Sequence, residues 1–505
     1  MFDINYDLHA TLSFTGDLEK ARSNIESAIY AAEQDIFRKT LPGYATGAHT
    51  VSYEVYGKTL DLSISSDRPL KSHVALLRLR KPLVEAIGDY RIGLRDMILS
   101  ETIEVPVEKK PLRRIRIPFT RRVTYIPERS VVQVEIKNIT SSFLEDGSID
   151  RLEKLVHEKI EEQYQEGKPE QRAVIWQSSE KPIKYSKNPT TELMKLGWIK
   201  QGPGPGQWFY GPQMTALIRN LEKLAVQEAL NPLGFKEVMS PKVTPFSIWE
   251  KTGHLSGSEP EMYFVSLPKS RDKKDWQRII DMYKITKKAP VKEIRRMLKD
   301  PLGGNCYAQC PPMYWAFEKT IISNESLPVL MFDKSGVSNR NEAGGRIGFE
   351  RVNEFHRIEP VYIGKPEQVT QVKKALLDKY TFLFNDILDL EWRYVDVIPF
   401  YLQQAGIAAK ETSDELWKGT LDFEAYMPYR GDRKTSEWLE FQNLSVLGNK
   451  YTKVFSIKSQ KGELWSGCSG IGLERWAAAF LAQHGINKTD WPQQFIDHMY
   501  DISGW

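Results

Sequence analysis

The sequence predicts an α+β protein built in two parts. Over residues 1–145, short strand-like runs alternate with helical stretches, whereas from about Thr190 the chain turns to strands, long amphipathic helices and glycine turns. Between them lies a polar connecting stretch. In the first part Ala10–Ser13, Thr59–Ser65 and Val131–Ile139 read as strands, and Asp17–Phe37 and Lys71–Ile87 as helices. Asp150–Gln165 reads as a charged helix that Gly167-Lys-Pro169 ends. The expected division is a domain over 1–165, a linker over 166–190 and a domain over 191–505, the last with insertions near 266–300 and 399–417.

A chain of 505 residues can form two or three domains, each with its own core. With 41% hydrophobic and 27% charged residues the composition is that of a globular protein. The net charge of +4 is mild, so contact with nucleic acid has to come from local patches. No apolar run reaches transmembrane length and the first residues lack a signal-peptide pattern, which makes the cytoplasm the default location. Three cysteines, Cys306, Cys310 and Cys468, argue against a disulfide framework and leave burial or metal as their uses.

Two stretches are locally basic. Lys109, Lys110, Arg113, Arg114, Arg116, Arg121 and Arg122 lie between residues 109 and 122 with no acidic residue among them. Alternating Ile115, Ile117 and Phe119 would set arginines on the opposite face of a strand, either as a charged sheet edge or as a phosphate-contacting surface. Residues 266–300 carry twelve basic and five acidic side chains and read as a helical insertion, RNA-facing or merely solvated. Gly202-Pro-Gly-Pro-Gly206 has no Lys-Ser/Thr after it, and Gly57-Lys-Thr59 has Ser52 where a phosphate loop needs glycine, so neither is a P-loop.

The chemistry concentrates in Ser338–Glu359 and Gly470–Trp476. In a strand through residues 351–359, Arg351, Asn353, Phe355, Arg357 and Glu359 share one face. A core strand would alternate aliphatic residues, and neither face does. The odd face offers a ring for a base, guanidiniums for phosphate or carboxylate, and an acid for an amine or metal. An exposed salt-bridged hairpin would leave Arg340 and Glu342, sharing a face just upstream, without explanation.

Arg340-x-Glu342, a loop, then Arg351-x₃-Phe355-x₃-Glu359 resembles motif 2 of the class II aminoacyl-tRNA synthetases. Gly470-Ile-Gly-Leu-Glu-Arg475-Trp resembles their motif 3, and Asn231–Pro241 their motif 1, the element that builds a dimer interface. The resemblance implies an antiparallel sheet flanked by helices, ATP-dependent activation of an amino acid, and a homodimer. It implies that Arg340 grips the α-phosphate, Arg475 the γ-phosphate, Phe355 stacks on adenine and Glu440 coordinates Mg²⁺. Glu342 and Arg351 complete the implied ATP site. The substrate carboxylate is itself the nucleophile, so no protein nucleophile is sought.

Within the class, the chain most resembles the rare, zinc-dependent seryl-tRNA synthetases of methanogenic archaea. Glu342-Ala-Gly-Gly, Trp249–Leu255 and Gln309-Cys310-Pro-Pro carry that likeness, and residues 1–165 lack the heptads of a coiled-coil arm. It implies zinc on Cys310, Glu359 and Cys468 with one position open for the serine amine. Cys306 makes a Cys-x₃-Cys with Cys310 that could instead belong to a closed site, or is simply buried. Arg357, Gln404, Asn443 and Ser445 are the candidates for orienting serine, and 399–417 reads as a helix-turn-helix able to order over it. Lys109, Lys110, Arg113, Arg114 and Arg116 would face the long variable arm of a serine tRNA. Three rivals remain: a threonine-specific enzyme, a ligase that loads a carrier protein, and a catalytically inactive RNA-binding relative. The last predicts decay at Arg340, Glu440 or Arg475, which are all intact.

Overall fold

The structure, a computed structural model, describes residues 6–37, 49–66, 70–165, 173–204, 206–342, 348–397 and 419–499. The chain divides into two compact units, Met1–Pro169 and Glu170–Trp505. Both are α+β. Among the described residues no helix is long and apolar enough to cross a membrane.

The first unit is a six-stranded antiparallel sheet of β1 (Tyr6–Phe14), β2 (His49–Tyr56), β3 (Thr59–Ser66), β4 (Leu94–Pro106), β5 (Thr120–Ile126) and β6 (Val131–Ile139), in the order β2-β3-β1-β4-β6-β5. The predicted strands and helices are present, the second helix as Ser72–Gly88 and the charged one as Ser148–Gln165. Alternation sends Leu8, Ala10, Leu12 and Phe14 of β1 inward against Ile25, Ile29, Leu76 and Leu79 of the helices. β4 escaped the sequence reading because its inward face carries Glu101, which is 1% exposed. Ser72 Oγ donates to Glu101 at 2.6 Å and His73 Nδ1 lies 3.0 Å away, so the buried carboxylate is held by the start of a helix. The stretch before β5 also differs from expectation. Ile115 and Ile117 are buried, but the chain there has no ladder pairing, and Phe119 turns outward at a left-handed φ of 66°.

The second unit centres on a nine-stranded sheet. Its strands are β7 (Ala173–Gln177), β8 (Lys236–Val238), β9 (Val329–Asp333), β10 (Val337–Asn339), β11 (Glu354–Gly364), β12 (Trp392–Val397), β13 (Gly419–Ala425), β14 (Leu439–Gly448) and β15 (Trp465–Gly472). The order is β8-β9-β11-β15-β14-β13-β12-β7, with β10 pairing the start of β11. Only β8 and β9 run parallel. β7 lies in the stretch read as linker, yet it pairs with β12 at the sheet edge. One face is covered by the helices Pro212–Leu224, Pro366–Phe382 and Leu473–His484. In the first of these Met214, Leu217, Ile218, Leu221 and Leu224 recur at helical spacing and are buried. Phe384 packs edge-to-face on Trp392, Phe441 and Trp476 at centroid distances of 5.1, 4.9 and 5.0 Å, and each such ring contributes about 1.5–3 kcal/mol by burial. The sheet's other face carries the polar residues of the site.

Candidate active site

The site stands on β11, β15 and β14 for a register reason. Arg357 pairs with Gly472, Val361 with Cys468, Cys468 with Ser445 and Gly470 with Asn443. Directly opposed residues of antiparallel strands project to the same side. Phe355, Arg357 and Glu359 therefore share a face with Cys468, Gly470, Asn443 and Ser445. Arg351 and Asn353 precede the strand, which begins at Glu354.

An open cleft lies over this face. Arg340, Glu342, Phe355, Arg357, Glu440, Asn443 and Arg475 all line it. Arg340 follows β10, and its guanidinium stacks 4.4 Å above the Tyr307 ring and 5.8 Å from the Phe355 ring. Its Nε donates to the Tyr307 carbonyl at 3.1 Å, and Tyr307 in turn donates its hydroxyl to Glu261 at 2.8 Å. Arg475 sits in the first turn of the helix Leu473–His484. It donates to the Glu440 carbonyl at 2.9 Å and faces the carboxylates of Glu440 at 3.4 Å and Glu342 at 3.9 Å. Arg340, Arg357 and Arg475 thus line the cleft together with the carboxylates of Glu342 and Glu440, both of which face Arg475.

Below it, Cys310, Glu359 and Cys468 bring one ligand atom each within 4.8 Å of one another, all buried. Cys310 opens the short helix Cys310–Trp315, whose first turn Pro311 and Pro312 rigidify. Glu359 is wholly buried, and neither of its oxygens has a hydrogen-bond partner. Arg357 Nε lies 2.5 Å from one of them, but not along its N–H direction, so the contact is an ion pair without a hydrogen bond. Burial pushes the Glu359 carboxyl up, against the pull of Arg357. The Cys310 thiol is pushed well up by its hydrogen bond with Cys468 and by burial. Two thiols and a buried carboxylate form a donor set suited to a zinc-like cation. Cys306 stands apart: it is fully buried 3.9 Å from Ser338 Oγ, and desolvation raises its thiol to about 11.

The other expected residues divide. Asn443 accepts from the Gly470 amide at 2.8 Å and lines the cleft. Ser445 is on the same face but buried, its hydroxyl 2.8 Å from that of Thr420, and it does not line the cleft. Arg351 turns to Glu437 at 2.8 Å, also outside the cleft lining. Gln404 and the stretch 399–417 lie outside the described residues. Two arrangements escaped the sequence reading. Tyr307 supports Arg340, and Glu474 at the helix start accepts from both the backbone amide and the ring of His356, at 2.9 and 2.8 Å. That hydrogen bond raises the His356 pKa.

In the first unit Arg113, Arg114 and Ile115 line two open grooves. Tyr164 and Gln163 of the helix Ser148–Gln165 hold the backbone of this stretch at the Lys110 and Arg113 carbonyls, at 2.8 and 3.3 Å. Lys110, Arg114 and Arg116 are exposed, whereas Lys109 is paired with Glu161 at 2.7 Å.

A largely antiparallel sheet flanked by helices, with a cleft on its open face lined by Arg340, Arg357 and Arg475, is the fold of a class II aminoacyl-tRNA synthetase. Residues 4–158 match a family described as a tRNA-binding domain. The type-2 serine–tRNA ligase of Methanococcoides burtonii is 40% identical over 503 residues, covering 99% of this chain and 98% of its own length. That of Methanocaldococcus jannaschii is 35% identical, covering 97% of this chain and 95% of its own. M. kandleri SerRS, solved in complex with A. aeolicus tRNASec, superposes with a TM-score of 0.85 at 27% identity over 98% of this chain and 96% of that one. The chain belongs to the type-2 serine–tRNA ligase family. Its activity is that of a serine–tRNA ligase. The threonine, carrier-protein and inactive alternatives fall with that assignment.

Proposed function

We propose that Cys310, Glu359 and Cys468 hold a zinc ion that binds the substrate serine. The supporting observation is that the fully buried Glu359 carboxylate, beyond its ion pair with Arg357, faces two thiols, and the three ligand atoms lie within 4.8 Å of one another. Bound there, zinc would supply a Lewis-acidic position for the serine α-amine. Arg357, which lines the cleft, orients the serine carboxylate, and Asn443 lies within the same lining.

Arg340 and Arg475 hold the two ends of a bent triphosphate, with adenine against Phe355 and Mg²⁺ at Glu440. A serine carboxylate oxygen attacks the α-phosphorus and pyrophosphate leaves. Arg340, already held in place by Tyr307, meets the charge that gathers on the α-phosphoryl oxygens. In the second step a terminal ribose hydroxyl of the tRNA attacks the seryl carbonyl and AMP leaves. The protein acts by positioning and electrostatics in both steps. Arg351 makes at most an indirect contribution through Glu437, and Ser445 acts by supporting the strand that carries Asn443.

The exposed Lys110, Arg114 and Arg116, with Arg113, contact the tRNA backbone, the long variable arm of a serine tRNA being the candidate. The enzyme works as a homodimer through the motif 1 element; Met239, 81% exposed just after the edge strand β8, supports an apolar contact there. The decisive experiment combines zinc content with serine-dependent pyrophosphate exchange into ATP. We expect one zinc per chain in the native protein and loss of both zinc and exchange in Glu359→Gln and Cys468→Ala. Undiminished serine exchange in a verified zinc-free chain would refute the metal's role.

A further inference from the structure

Phe119 is the side chain of the basic surface that local folding does not explain. It stands 73% exposed, with φ at 66°, a conformation that costs a bulky residue strain and that glycine or asparagine adopts more cheaply. The turn itself therefore does not call for phenylalanine. Its neighbours fix it firmly. Ile117 is buried two residues before it, the Thr120 hydroxyl donates to the Ile117 carbonyl at 2.7 Å, and Thr120 begins the ladder opposite Ile136. The Phe143 ring meets Phe119 edge-on at 5.4 Å and 63°, which leaves much of the ring open to solvent.

What surrounds the ring defines what it can meet. Arg114, Arg116, Arg121 and Arg122 are all exposed within five residues of it. An exposed aromatic ring flanked by exposed guanidiniums suits a polyanion with flat, unstacked bases, and it lies within the segment matched to a tRNA-binding domain. We propose that Phe119 is a stacking platform for an unpaired base of the bound tRNA, with the flanking arginines gripping phosphates on either side. This rests on the reading of the 109–122 surface as RNA-facing and adds to it a base contact made by no charged group.

Stacking and phosphate contact separate in their salt dependence. Filter binding of a serine tRNA transcript to the full chain would be measured across a salt series for wild type, F119A, F119W and R114A, with thermal midpoints verifying the fold. F119A should bind about tenfold or more weakly, with the slope of log affinity against log salt unchanged, since no counter-ion release is lost. F119W should bind as wild type does. R114A should weaken binding and reduce the slope by about one. F119A binding as tightly as wild type, or F119W as weakly as F119A, overturns the platform while leaving the RNA-facing reading in place. R114A with wild-type affinity and slope overturns that reading instead.

Discussion

Gly470→Ala tests the substrate side of the site with one methyl group. A Cβ built at Gly470 would lie 2.3 Å from Arg357 Nη2, 2.9 Å from its Cζ and 3.0 Å from its Nε. The guanidinium must move, yet it is 8% exposed and its Nε faces a fully buried Glu359 carboxylate at 2.5 Å. Displacing it uncovers a buried charge. Overpacking of this kind costs about 1–3 kcal/mol, or about 5- to 150-fold in kcat/KM for serine. Gly472, two residues on and on the same face, supplies the control. Its Cβ would meet nothing closer than the Phe441 carbonyl at 3.6 Å, and its φ of −90° suits any residue. Gly472→Ala at this helix N-cap should change kcat/KM by no more than about fivefold. Serine-dependent pyrophosphate exchange, titrated in serine at saturating ATP, reads both variants. Equal activity in the two alanine variants, or wild-type kinetics in Gly470→Ala, would refute the claim that Arg357 needs that space.

Two further perturbations probe the cleft's supports. Tyr307→Leu removes the ring under Arg340 and should raise the KM for ATP about 2- to 30-fold, the range of a part-desolvated cation–π contact, while Tyr307→Phe should not; equal values in the two variants would show that the ring is not the support. His356, its pKa raised by the hydrogen bond to Glu474, stabilises the fold fully below its unfolded pKa of about 6.5 and loses that contribution as pH rises through the folded value. The thermal midpoint of His356→Asn should therefore lag wild type most near about pH 6 and least near about pH 9, and a gap that widens with pH would contradict the assignment.

The legible parts of this chain were those in which local pattern and tertiary demand agree. Val131–Ile139 reads as a strand and is one, because its apolar positions face the core of the first unit. The cleft arginines stood out because charged side chains concentrate in Ser338–Glu359 and Gly470–Trp476, whereas the cysteine–glutamate set came from the family resemblance, and the fold brings its three ligand atoms within 4.8 Å of one another. β4 was hidden by Glu101, whose inward position makes sense only with Ser72 and His73, 29 and 28 residues away in sequence. Phe119 was misread for a different reason: period-two spacing places it with Ile115 and Ile117, and only a positive φ, which spacing does not reveal, turns it outward. Arg351 and Ser445 have the right type and parity for the site, but Glu437 and Thr420 compete for them.

The glycines of β15 show how binding and folding share one strand. A glycine inside a strand sacrifices packing and ordering entropy, so Gly467 and Gly470, both inside the ladder, need a cause. Gly467 and Gly470 face opposite sides of the sheet. On the helix-covered side, a Cβ at Gly467 would lie 2.2 Å from the Tyr362 ring, which crosses the strand to donate its hydroxyl to the Ser445 carbonyl at 2.7 Å. On the cleft side, Gly470 leaves room for Arg357. Both large side chains come from β11, the strand that also carries Glu359. Cys468, between the two glycines, is therefore held by a strand clamped from both faces by the same neighbour. Gly467→Ala should accordingly disturb the core before the chemistry, lowering the thermal midpoint, whereas Gly470→Ala disturbs the chemistry before the core. A reversed order of effects would mean that the two faces of β15 are not divided between fold and substrate in this way.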